Sequence, residues 1–384
     1  MDATFTSQRV RQDILHLCHA GLDSWRLRRQ VFDRLQRVIP GPIYWCSTTD
    51  PETLLITGAV MQGVEPAAVP GFITNELRGE DANHFTELAK RKLPVATLYA
   101  ATRGDPRRSP RFHELLEPTG QGDEMRAALR AGTSVWGVMC LHRELRDPPF
   151  SPAEVAFFAQ IAPHLGAGLR VATLLEALDG DGVTATPVSE SPGVLTLADD
   201  LSVVAMTPAA EWWLSEIGDW PRGGSLPQAI YVVAARLQSL ERLEQTPGEM
   251  MPRARVHTRS GAWLALHASR LTGASSAGQI AVILEPARPA EVASLILLAY
   301  ALTKREAQVA QLVLKGHATE EIAAALTISE LTVQQHLKAI FDKVGVRSRR
   351  DLVAQLFARR HWPHIADAMG LSHGAWTAED VGAV

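Results

Sequence analysis

Gln334, Gln335 and Lys338 fall together in a run whose apolar residues, Val333, Leu337, Ile340 and Val344, recur at i, i+4, i+7 and i+11. That spacing puts the apolar set on one face of a helix and leaves the two amides and the amine on another. A glutamine amide carries a donor and an acceptor side by side and pairs with adenine through two hydrogen bonds, while lysine suits guanine or a phosphate oxygen. Ser329, Thr332, Lys343, Arg347, Ser348, Arg349 and Arg350 bracket the same run. Hydroxyls and cations so placed are candidate phosphate contacts, which position a protein on a duplex without reading its sequence. The chemistry on offer is recognition of double-stranded DNA.

Such a helix must be held out from a small bundle, and the flanking sequence supplies one. Thr303 followed by Glu306 is a capping box; Val309, Leu312 and Val313 make a stripe; Gly316 ends the first helix. A second helix starts near Thr319 and buries Ile322, Ala323 and Leu326, and Thr327 and Ile328 form a short turn. Ser329 caps the third helix, Glu330 suits the positive end of its dipole, and Gly345 ends it. Ser348 with Asp351 opens a fourth helix carrying Leu352, Val353 and Leu356. Two helices across a tight turn, the second polar in front and apolar behind, form a helix-turn-helix. Residues 302–360 hold ten Lys and Arg against six Asp and Glu, a net +4 in a chain of net −4. Positive charge is concentrated where a polyanion would bind.

The run resembles the LuxR-type helix-turn-helix domain of bacterial transcription regulators. The resemblance is carried by Leu302 to Glu306, Gly316, Glu321 to Ala323, Ile328, Ser329, Thr332, Val333, His336, Ile340 and Lys343 to Val346. It implies DNA binding as a dimer, with the fourth helix contributing contacts between the two DNA-binding domains. The family typically has Lys just after the Thr-Val pair, where this chain has Gln334. An altered base preference is expected from that departure.

The rest of the chain reads as input. Residues 1–178 open with amphipathic helices and continue with strand-like runs at 41–48, 53–60, 94–101 and 133–143. A capping box at Ser151 to Glu154, with Pro152 in the first turn, starts a long helix bearing Phe158, Ile161, Leu165, Leu169, Ala172 and Leu175. Pro163 removes one helix hydrogen bond and argues for a kink. Strands followed by this helix resemble a GAF-type sensor domain. A linker rich in Asp, Gly, Ser and Pro follows at 179–192. Residues 193–286 read as two strands around Asp199-Asp200, a helix opening at Thr207, a hairpin turning at Ser260 and Gly261, and a closing strand. Their order resembles a PAS-like domain. A connecting helix spans 288–301, the DNA-binding domain 302–360 and a tail 361–384. The expected fold class is therefore α+β, two α/β sensor-like domains before an all-α four-helix domain.

Composition narrows the function. With 46% hydrophobic and 21% charged residues the chain is an ordinary globular one. No apolar run spans a bilayer and the N-terminus is polar, so a cytoplasmic location is expected. Cys18, Cys46 and Cys140 are too few and too scattered for a disulfide framework. Phosphate-binding loop, nucleophile elbow and paired-Cys zinc patterns are missing, so no enzyme activity, metal or cofactor is expected. The pairs His16/His19 and His361/His364, and His267 alone, lack further ligands. A receiver-domain acidic set cannot be placed before Glu285, and acyl-homoserine-lactone sensors usually have a single input domain. Trp25, Tyr44, Trp45, Phe72, Tyr99 and Trp136 are aromatics able to line a pocket, as are Trp212, Trp213 and Trp263 in the second region; Tyr44, Trp45, Tyr99 and Trp136 are taken as the ligand-pocket candidates. The expected protein is a homodimeric transcription regulator that couples an effector or partner to DNA binding. A ligand-processing sensor and a regulator driven only by protein contacts are the alternatives.

Overall fold

The computed structural model describes residues 3–78, 81–178, 191–217, 226–243, 251–273 and 278–354. They divide into two compact units, the first holding two antiparallel sheets and the second beginning at Arg288.

The first unit opens with helices α1 (Ala3–His19) and α2 (Ser24–Leu35). The strands β1 (Ile43–Thr49) and β2 (Ile56–Gln62) lead to helices α3 (Val69–Arg78) and α4 (Phe85–Leu88). Then come β3 (Val95–Thr97), the short helix α5 (Leu98–Ala101), β4 (Gln121–Ala131), β5 (Ser134–Glu144) and the 27-residue helix α6 (Pro152–Leu178). The sheet order is β2-β1-β5-β4-β3. Ser151 and Glu154 exchange the two bonds of the expected capping box, and α6 continues through Pro163 as one assigned helix. The run at 94–101 was expected to be all strand, but only its first residues pair in the sheet. Thr97 then caps α5, accepting the Ala100 N–H.

The second sheet comprises β6 (Gly193–Leu197), β7 (Val203–Met206), β8 (Arg253–His257), β9 (Trp263–Arg270) and β10 (Ile280–Pro286), with helices α7 (Pro208–Ile217) and α8 (Gln228–Arg242) between β7 and β8. Its order, β7-β6-β10-β9-β8, repeats that of the first. Strands, hairpin and α7 fall where the sequence suggests, with Gly261 at φ +88° in the turn.

α8 has no counterpart in the sequence reading, and it joins the sheets. It packs on α3, β2 and β9, and one apolar cluster runs from Trp45, Ile73 and Leu77 through Ile230 and Val233 to Leu264 and Leu266. Ser239 donates to the Leu77 carbonyl at 2.5 Å. Arg255 from β8 is buried and forks onto Asp50, with Nε–Oδ2 and Nη2–Oδ1 both 2.8 Å. Burial alone would raise the Asp50 carboxyl, but this guanidinium and the backbone N–H groups of Glu52 and Arg255 hold it below the ordinary carboxylate range.

The second unit contains α9 (Pro289–Ala299), α10 (Lys304–Leu314), α11 (Thr319–Leu326), α12 (Glu330–Val344) and α13 (Arg349–Val353). Val309, Val313, Ile322, Ala323, Val333, Leu337, Ile340, Val344 and Leu352 are among its buried apolar residues, as read from the sequence, whereas Leu312, Leu326 and Val353 of the same expected stripes are only half-buried. The fold is mixed α+β with an all-helical C-terminal domain. Leu356 and the tail 361–384 lie outside the described residues.

Candidate nucleic-acid interface and sensory cavity

α12 is presented by its neighbours. Ser329 Oγ accepts the Thr332 N–H at 3.1 Å and starts the helix; Gly345, at φ +78°, ends it. The turn before it runs through Thr327 at φ +54°, a left-handed residue whose N–H reaches Ala324 O, while Ile328 N–H reaches Ala323 O. Arg305 Nη2 donates to the Leu326 carbonyl at 2.5 Å and ties the end of α11 to α10. With Val333, Leu337, Ile340 and Val344 turned inward, Leu331, Gln334, Gln335 and Lys338 are exposed. Leu331 is 71% exposed, unusual for leucine, and lies one turn before Gln334 and Gln335.

Among the cations, position decides role. Lys343 Nζ lies 2.6 Å from Glu306 Oε2 and 3.3 Å from the Ala301 carbonyl. Glu306 also accepts the Thr303 N–H and closes the capping box of α10. Lys343 therefore fastens α12 to the start of α10. Arg349 donates through Nη2 to the His317 carbonyl, which secures α13 to the segment before α11. Both were expected as phosphate contacts; their charged heads are instead turned onto the bundle. Arg347 and Arg350 are exposed. Ser348 caps α13 by accepting the Asp351 N–H, and the Ser329 and Thr332 hydroxyls lie 2.8 Å apart.

The first unit holds a cavity of about 440 Å³ beside β1, α3 and β5. Its walls are largely apolar, including Trp45, Met61, Val69, Phe72 and Leu115. Trp45 meets Phe72 edge-on at 4.3 Å between ring centroids. Gln228, the first residue of α8, also lines it, so the second sheet's helix contributes to this wall. Of the four aromatic candidates only Trp45 is at the cavity. Tyr44 points to the other side of β1, packs on Phe32 and donates to the Ile39 carbonyl, and burial pushes its phenol up to about 12. Trp136 is a core residue, and Tyr99 is 40% exposed; neither lines the cavity. Alternation along a strand separates Tyr44 from Trp45 although they are adjacent.

Beside the cavity lies a buried ionic network. Glu124 on β4 contacts Arg111 Nε and Arg126 Nε, each at 2.9 Å, in geometry too bent for straight hydrogen bonds. Arg126 reaches Glu76 at 2.6 Å and lies over the rings of Phe72 and Phe85. Burial would raise the Glu124 carboxyl, but Arg111 and Arg126 outweigh it and hold it at about 2. His142 contacts both the network and the cavity; burial lowers it to about 4 against the opposing pull of Glu124. Glu124, Cys140 and His142 are near enough to suggest a metal site. Two guanidinium groups already neutralise the carboxylate, so a metal cation would meet net repulsion there. His267, the other ligand candidate, faces Glu285 at 3.7 Å on the adjacent strand.

Comparison with known proteins agrees with this division. Residues 300–356 match the model of bacterial regulatory proteins of the luxR family, and residues 53–169 match the GAF domain. The spore germination protein GerE of Bacillus subtilis (strain 168) is 44% identical over 55 residues, which cover 14% of this chain and 74% of that protein. The chain belongs to the luxR family of bacterial regulatory proteins. A putative HTH-type transcriptional regulator from the exeN 3' region of Aeromonas salmonicida is 51% identical over 51 residues, 13% of this chain and 26% of that one. The luxR-family match takes in α10 to α13, and the GAF match includes β2 to β5 and most of α6 while leaving out β1 with Trp45. The protein is a transcriptional regulator with a luxR-family DNA-binding domain and a sensory GAF domain. Among the described residues no helix is long and apolar enough to cross a membrane.

Proposed function

We infer that this protein binds a two-fold DNA site as a homodimer, laying α12 in the major groove, and that an effector or partner sensed by the first unit alters that binding. The observation that carries the reading is the exposed stripe of Gln334, Gln335 and Lys338 on a helix whose opposite face is packed. In the proposed complex the two amides read base edges, with Lys338 beside them. Arg347 and Arg350, with the hydroxyls of Ser329, Thr332 and Ser348, contact phosphates. Lys343 and Arg349 act indirectly, by holding α12 and α13 in place.

The second sheet is proposed to be PAS-like, supported by a strand order identical to that of the GAF sheet. Its α8 reaches the GAF cavity, which gives the two sheets a shared response to an occupant. The segment 288–301 is proposed as the connection to the DNA-binding domain. This role needs no catalysis, and it places the protein in the reducing cytoplasm, consistent with three buried, unpaired cysteines. The test is a mobility-shift assay of the full chain on a genomic fragment library, repeated over salt. Affinity is expected to fall steeply as salt rises, because bound phosphates release counterions. Absence of salt-sensitive DNA binding, with and without cell extract, refutes the reading.

A further inference from the structure

The cavity's wall chemistry narrows what it can hold. Its volume of about 440 Å³ admits a compact two- or three-ring molecule. Glu65 and Glu144 line it, Glu144 already paired with Arg146 at 2.5 Å, and among the described lining residues there is no Lys or Arg. The neighbouring network does not reverse this sign. Arg111 and Arg126 are already matched by Glu124, Glu76 and Asp81. His142 is held low by burial and is uncharged at neutral pH, and its Nδ1 donates to Gln121 Oε1. An anion entering here would lose its water and find no compensating cation.

Polar groups on the wall are left over: Trp45 Nε1 and Gln228 Oε1 are buried without a hydrogen-bond partner among the described residues, and Gln121 adds another. Gln121 is only 7% exposed and lines the cavity, and its side-chain oxygen is taken by His142. Its amide nitrogen has no hydrogen-bond partner among the described residues. An acceptor arriving there would make the hydrogen bond that Gln121 lacks, in exchange for one to water.

We propose that this cavity binds a compact, uncharged, largely apolar molecule bearing a hydrogen-bond acceptor for Gln121, and that it rejects phosphate-, sulfonate- or carboxylate-bearing ligands of the same size. The proposal rests on the reading of the first unit as a small-molecule sensor. It specifies that sensor's ligand class.

Two naphthalene dyes of similar size test it on the full-length protein without DNA. Prodan is neutral and carries a ketone; 1-anilinonaphthalene-8-sulfonate is an anion. Fluorescence titration is expected to show one prodan site per chain, at least tenfold tighter than the sulfonate. Val69→Trp and Ala68→Trp, which push an indole into the space, are expected to abolish the site; two positions are used so that one folded variant suffices, with circular dichroism as the check. Gln121→Leu is expected to weaken prodan about fivefold, the worth of one ordinary hydrogen bond. Glu144→Lys is expected to narrow the preference by admitting the sulfonate. Equal affinity for both dyes, no saturable prodan binding, or prodan binding untouched in a folded cavity-filled variant would overturn the proposal. DNA binding is measured separately: its loss would leave this result standing, and failure of prodan binding would leave the DNA reading standing.

Discussion

Lys343 and Arg347 lie four residues apart near the end of α12, and both are basic, yet the structure gives them different work. Lys343 is committed to Glu306 at 2.6 Å, and Arg347 is exposed. Each phosphate contact contributes about 0.9 to the slope of log affinity against log salt, so losing one changes the ratio of affinities at 50 and 200 mM salt by about 3.5-fold. Arg347→Ala is expected to shift that ratio by this amount with no change in stability. Lys343→Met is expected to leave the ratio as in the wild type. Its effect is on the fold: the lysine is about one-third exposed, so solvent screens the pair and the loss is about 0.5–1 kcal/mol. Fluorescence anisotropy on one DNA fragment over a salt series gives the slopes, and denaturant melts give the stabilities. If Lys343→Met flattens the salt dependence as much as Arg347→Ala does, the assignment of Lys343 to the bundle is wrong.

Three further outcomes follow from the same geometry. Asp50→Ala removes the buried carboxylate from the Arg255 guanidinium and leaves it Glu52 at 3.3 Å, a more exposed partner, and is expected to cost about 3 kcal/mol in denaturant unfolding, whereas Asp50→Leu with Arg255→Met recovers most of it; equal losses in both variants would show that the ion pair itself is not what is missed. His142 is lowered to about 4 from an ordinary value near 6.5, so its contribution is full above about 6.5 and is lost as pH falls toward 4, about 3 kcal/mol in all. His142→Gln is expected to flatten stability across that window, and an unchanged pH profile would refute the burial argument. Gln334→Ala and Gln335→Ala are each expected to relax base preference by about 1–3 kcal/mol at one position while affinity for unrelated DNA holds; selection on randomised duplexes reads this, and uniform loss on every sequence would assign them to the backbone instead.

The DNA-binding end was legible because its signals are local. The Thr303–Glu306 capping box, the Ser329 and Ser348 caps and the glycines at 316 and 345 act over three or four residues, and all occur where the sequence places them. β4 was not legible. Its buried residues include Asp123, Glu124 and Arg126, and a strand carrying charges inward shows no apolar alternation. Its charges are tolerated because Glu76 and Arg111, from distant parts of the chain, pair with them. The structure separates the four pocket candidates for a related reason: aromatic type marks burial, and only the pleat of β1 decides that Trp45 faces the cavity while Tyr44 faces Phe32.

The sequence by itself determined the helix-turn-helix, its exposed amides and its local positive charge, since helix periodicity and capping are short-range physics. Only the tertiary structure decided that Lys343 and Arg349 are engaged within the bundle, because they find their partners 37 and 32 residues away. It likewise decided that α8 reaches the cavity and that the wall there is short of cations. Both depend on which distant surfaces pack together to bury apolar area, and no spacing along the chain records that.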